Sequence, residues 1–145
     1  MIHEPGNACA PADAAIDLLL ERIRYEGAYP TRERAEESLR AVLGALGRQV
    51  TGEERVAFAA ALPREAAHAF IAEVPAVKPL SGAAFVRDLA ERTGGTPATV
   101  RWDVGVVLSQ VAALVGDDLV TQVVSCLPPG YALLFGRAEL LAQAA

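Results

Sequence analysis

The dipeptide Leu-Pro occurs at Leu62-Pro63 and again at Leu127-Pro128, 65 residues later, and the same order of helix signals leads up to each. Proline cannot continue a helix, so each pair closes a helical run. Before the first pair, Thr31 reads as an N-cap. It opens a long helix with Ala35, Leu39, Val42, Leu43, Leu46 and Val50 on one face. Thr51-Gly52-Glu53-Glu54 has the pattern of a capping box and starts a further helix through Ala61. Before the second pair, Thr96 is the cap and Pro97 the first residue of a helix running to about Val115, and another spans Asp117 to Cys126.

The remaining segments fit the same grammar. Asp13 to Glu26 carries Ile16, Leu19, Leu20 and Ile23 at helical spacing and ends at Gly27, expected as a left-handed stop. A short helix is expected over about Arg64 to Glu73. Ser81 caps one bearing Phe85, Val86 and Leu89, closed by Thr93-Gly94-Gly95. A turn of helix follows Pro128-Pro129, and a last helix is expected near Glu139 to Ala144. No segment alternates at period two. The reading is therefore an all-α chain of about seven to nine helices in two related bundles. Residues 1–12 form a flexible N-terminus, 13–73 the first repeat, 74–80 a Pro-containing linker and 81–145 the second repeat, packed with the first as one domain.

With the offset of 65, Ala35–Phe70 aligns with Val100–Phe135 without a gap. Seven of the 36 pairs are identical and fifteen put apolar on apolar, where composition alone gives about ten. Shared breakers, caps and periodicity point to an internal duplication. The stretch Tyr29-Pro30-Thr31-Arg32-Glu33-Arg34-Ala35-Glu36 running into Leu39-Arg40-Ala41-Val42-Leu43, with Leu62-Pro63 and the frame ending at Leu127-Pro128, resembles the bacterial domain-of-unknown-function family 2267 over about Asp17 to Phe135. The resemblance implies a duplicated helical fold in a bacterial cytoplasmic protein. It implies no activity and carries over no functional residues.

Composition narrows the functional classes. The net charge is −5, with 13 Lys and Arg interleaved among 18 Asp and Glu, which disfavours a phosphate backbone as partner. Glu4 and Asp13 flank a start without a basic region or long apolar stretch, so no secretory signal is expected. The apolar run Val104 to Val115 is too short for a bilayer, which takes about 20 residues. A cytoplasmic protein without membrane or nucleic-acid partner is the expectation. Cys9 and Cys126 read as free thiols, Cys126 as a small core residue.

Chemical constellations are sparse. His3 and His68 have no neighbours at metal-ligand spacing, so no metal or other cofactor is expected. Asp117-Asp118 and Glu53-Glu54 fit helix first turns, where negative charge meets the positive end of the dipole. Gly94-Gly95-Thr96 lacks the ending of a phosphate cradle and reads as a turn plus cap. Ser109 and Ser125 have no base nearby in sequence.

The two repeats differ most in charge. Residues 31–70 hold twelve charged side chains, whereas the matched 96–135 hold four. Glu37 becomes Trp102, Glu54 becomes Leu119, Arg55 becomes Val120 and His68 becomes Leu133. Either the second long helix is the centre of the monomer, or Trp102, Leu119, Val120 and Leu133 form a surface for a protein partner or a homodimer. The expected function is a non-enzymatic protein-interaction module, with self-association through the second repeat. The alternative is a carrier holding a small apolar ligand among Val107, Val111, Val123 and Phe135, and an enzyme of unknown class is third.

Overall fold

Apolar residues at three- and four-residue spacing, opened by hydroxyl caps and closed by glycine or proline, become eight α-helices in the computed structural model, which describes residues 4–137 and side chains from Ala14 onward. They are α1 (Glu4–Gly27), α2 (Arg32–Gly47), α3 (Gly52–Ala61), α4 (Arg64–Ile71), α5 (Gly82–Thr93), α6 (Pro97–Val115), α7 (Asp117–Ser125) and α8 (Tyr131–Leu134). Among the described residues there is no strand. The class and the number of helices match the sequence reading.

Three caps form as their residue types dictate. Thr31 accepts a hydrogen bond from the Arg34 N–H, and Ser81 accepts one from Ala84. Thr96 and Thr99 make a reciprocal box at the start of α6, with Pro97 in its first turn. Gly94 ends α5 in the left-handed conformation, φ 76°. Two expected signals behave differently. Thr51 makes no side-chain cap bond, because the next residue, Gly52, has φ +71° and carries α3 off at an angle the hydroxyl cannot follow. The left-handed residue after α1 is Ala28, φ 56°, and not Gly27. Gly27 is needed for space: a Cβ there would lie 2.3 Å from the Tyr29 ring.

The first helix also begins at Glu4, well before Asp13, so the segment expected to be flexible is helical backbone from residue 4. Five alanines between residues 8 and 15 supply the propensity. His3 and the expected helix at Glu139–Ala144 lie outside the described residues, as does the Cys9 side chain. Cys126 is a correction. It is exposed, because it caps the end of α7 where the chain swings out toward Pro128.

One core joins all the larger helices. The Ile16, Leu19, Leu20 and Ile23 face of α1, the Leu39, Val42, Leu43 and Leu46 face of α2, and Phe85 and Leu89 of α5 close around Val100, Val104, Val107, Leu108 and Val111 of α6. Helix α6 packs against α1, α2, α3, α5, α7 and α8. It is the one described helix long and apolar enough, by length and composition, to cross a membrane, and in this fold its buried residues are Val100, Val104, Val107, Leu108 and Val111. Helices α2 and α4 approach closely at Gly47, where a Cβ would stand 1.8 Å from the Phe70 carbonyl oxygen.

The linker is tied down from both sides. The Ala76 N–H donates to the Arg48 carbonyl (2.7 Å) and the Leu80 N–H to the Gln49 side chain (2.8 Å). Tyr131 of α8 donates its hydroxyl to the Leu80 carbonyl (2.9 Å). Positions 65 apart share their burial through the fold: Ala35 and Val100, Val42 and Val107, Leu43 and Leu108, Phe58 and Val123, and Phe70 and Phe135 are all core residues. Thr31 and Thr96, also 65 apart, are both working N-caps.

Candidate interaction face

The four candidate positions, Trp102, Leu119, Val120 and Leu133, divide into two that point inward and two that point outward. Val120 is completely buried and belongs to the core, so it cannot form part of an exposed surface. The reason lies in its counterpart. Arg55 already points inward: its guanidinium donates to the carbonyls of Gly47, Val50 (3.1 Å) and Glu73 (2.8 Å) and lies over the Phe70 ring at 5.3 Å. Substituting valine at such a position fills a core and exposes nothing. Leu119 is partly buried and packs on the core from the first turn of α7.

Trp102 and Leu133 are each 55% exposed, and the fold brings them together. They line one open groove of about 460 Å³ with Glu26, Ala98, Arg101, Gly105, Val106, Ser109, Gln110 and Leu134. The indole N–H of Trp102 donates to the Gly27 carbonyl at the end of α1 (3.1 Å). Its one polar atom is thus satisfied within the chain, and the part left facing solvent is hydrocarbon. Along α6 the groove leads at Gln110 into a second depression, about 330 Å³ and mainly apolar, between Ala15, Leu18, Leu19 and Arg22 of α1 and Ala113 and Leu114. Leu18 and Leu114 are substantially exposed there, and Tyr25, two turns from Leu18 on the same face of α1, is exposed as well. Five of the nine exposed large hydrophobic residues among those described therefore lie on one side of the molecule.

A polar cluster that sequence reasoning missed flanks this face. Tyr29 donates its hydroxyl to Asp103 (2.5 Å), and Arg34 reaches Asp103 (3.4 Å) and Ser38 (2.5 Å) while lying over the Tyr29 ring. Burial first, and then the bond to Asp103, push the Tyr29 hydroxyl up to about 12. The cluster borders a cleft of about 220 Å³ between α2, α5 and α6. Its partners are 69 and 74 residues apart, so no local spacing could announce it. The same short segment is held on both edges of α6, by Asp103 through Tyr29 and by Trp102 through Gly27.

The other candidates occupy ordinary places. Val107, Val111, Val123 and Phe135 are packed in the core, and the depressions described above are lined by other residues. Ser109 and Ser125 donate to carbonyls of their own helices. Asp117 and Asp118 stand in the first turn of α7, Glu53 and Glu54 in that of α3, and His68 is on the surface of α4. Among the described residues no three His, Cys, Asp or Glu side chains stand together in a way that could hold a metal.

This is an all-helical domain whose most distinctive surface is an apolar face. The chain belongs to the family of uncharacterized conserved proteins designated DUF2267, whose model matches residues 17–134. No curated protein matches the sequence.

Proposed function

We propose that the chain is a non-enzymatic protein-interaction module, built on a duplicated helical unit, that self-associates through the face around Trp102 and Leu133. The setting is the cytoplasm, with no nucleic-acid or membrane partner. One observation carries the reading: of the four candidate positions Trp102, Leu119, Val120 and Leu133, the two that point outward share a single groove. A half-exposed tryptophan with its N–H already bonded is suited to anchor an interface, because burying the rest of the ring leaves no polar atom unpaired. The serine hydroxyls bonded within their own helices favour binding over chemistry.

Size-exclusion chromatography with light scattering tests the proposal. Wild type is expected at twice the chain mass, and Trp102→Glu at the single mass with an unchanged helical spectrum. A monomeric wild type, together with an equally folded and equally monomeric variant, would overturn self-association.

A further inference from the structure

Resting on that reading, we infer that the occupant of the face is a second copy of this chain, placed by a two-fold axis that runs the two α6 helices antiparallel, so that each Trp102–Leu133 end covers the partner's Leu18–Leu114 end. Trp102, Val106, Gln110 and Leu114 fall at intervals of four residues and form one outward stripe on α6. The stripe is about 18 Å long and symmetric about position 108. In an isologous contact, whatever position i touches on the partner must touch i in return. Antiparallel packing about position 108 sets Trp102 against Leu114 and Val106 against Gln110, twice over.

Shape and charge agree with this arrangement. The groove beside Trp102 and the depression beside Leu114 lie in line, and each carries exposed apolar side chains that can enter the other. Gly105, at the edge of the stripe, has nothing within 4 Å of where a Cβ would stand, so the partner backbone can come close there. The rim carries both signs: Glu26 and Arg101 beside Trp102, and Arg22 beside Leu18. None of the three has an ion pair among the described residues. A patch of one sign would repel its own copy, whereas this rim can pair Arg22 with the partner subunit's Glu26.

Complementation between two full-length variants tests the arrangement. Leu114→Glu and Trp102→Lys both alter exposed positions, and circular dichroism is expected to show each folded. Each alone is expected to run as a monomer, with self-affinity at least about tenfold weaker than wild type. Mixed in equal amounts they are expected to return to the dimer mass. In the mixed pair one end regains tryptophan against leucine, and the other sets lysine against glutamate. A dimeric wild type whose single variants are monomeric but fail to recombine would overturn the antiparallel arrangement and leave self-association standing. Single variants that stay dimeric would exclude this face. A monomeric wild type would overturn both.

Discussion

The units α2–α3–α4 and α6–α7–α8 share a set of buried matched positions but surround them differently. In the first, α2 buries nine of its 16 residues, and its exposed side carries Glu33, Glu37 and Arg40. In the second, α6 touches six other helices but buries only five of its 19 residues, and charges are few. The first unit closes by bringing α4 hard against α2 at Gly47, and Ala112 stands at the matched position in the second, where α8 is only one turn long. Arg55 ties the ends of α2 and α4 from within. Val120 replaces it with hydrocarbon, and a different arginine, Arg137, binds Asp117 and Thr121 from outside. A shared set of buried positions thus serves a unit with a charged outer side and one with an apolar outer side, and loss of charge is not by itself gain of surface.

The largest expected effect tests the close approach. Gly47→Ala puts a Cβ into the Phe70 carbonyl, and urea unfolding is expected to show a loss of about 3 kcal/mol, overriding the propensity gain of about 1 kcal/mol that alanine brings to a helix. The reciprocal Ala112→Gly is expected to cost only about 1 kcal/mol. Equal effects at the two sites would mean that α2 and α6 are packed alike.

Next come the two arginines. Arg55→Ala leaves the carbonyls of Gly47, Val50 and Glu73 without their donor and is expected to cost about 2 kcal/mol in the same assay. Arg137→Ala, at the more open contact with Thr121 and Asp117, is expected to cost about 1 kcal/mol. The reverse order would make the outer tie the stronger one.

The smallest expected effect concerns the join between the units. Tyr29 ionises at about 12 in the folded chain and at about 10 when unfolded, so the fold favours the neutral phenol. Its contribution is complete below pH 10 and is lost as pH rises toward 12. Tyr29→Phe is expected to make unfolding stability fall less steeply over that window. Tyr131, also raised by burial, supplies the slope that remains. An unchanged slope would mean that the fold does not hold Tyr29 as a buried neutral phenol.

Most of the architecture was legible because helix grammar is local. Thr31, Ser81 and Thr96 cap where hydroxyls before apolar runs should, and Ile16 to Ile23 face the core as their spacing requires. Local grammar failed where one neighbour changed the backbone, as Gly52 does after Thr51. The face was half legible. Comparing matched positions found Trp102 and Leu133, but composition could not tell an outward glutamate from an inward arginine, so Val120 was misplaced. Leu18, Leu114 and the Tyr29–Asp103 bond become visible only once α1 lies along α6.

The bond between the Trp102 indole and the Gly27 carbonyl has an optical consequence. Trp102 is the single tryptophan of the chain, so all indole emission comes from one half-exposed ring on the candidate face. Because the N–H stays bonded to Gly27, covering the ring changes its solvent and not its hydrogen bond. Intrinsic fluorescence therefore reports on this face without a label: dilution that uncovers it moves the emission to longer wavelength, and any molecule that seats there moves it back.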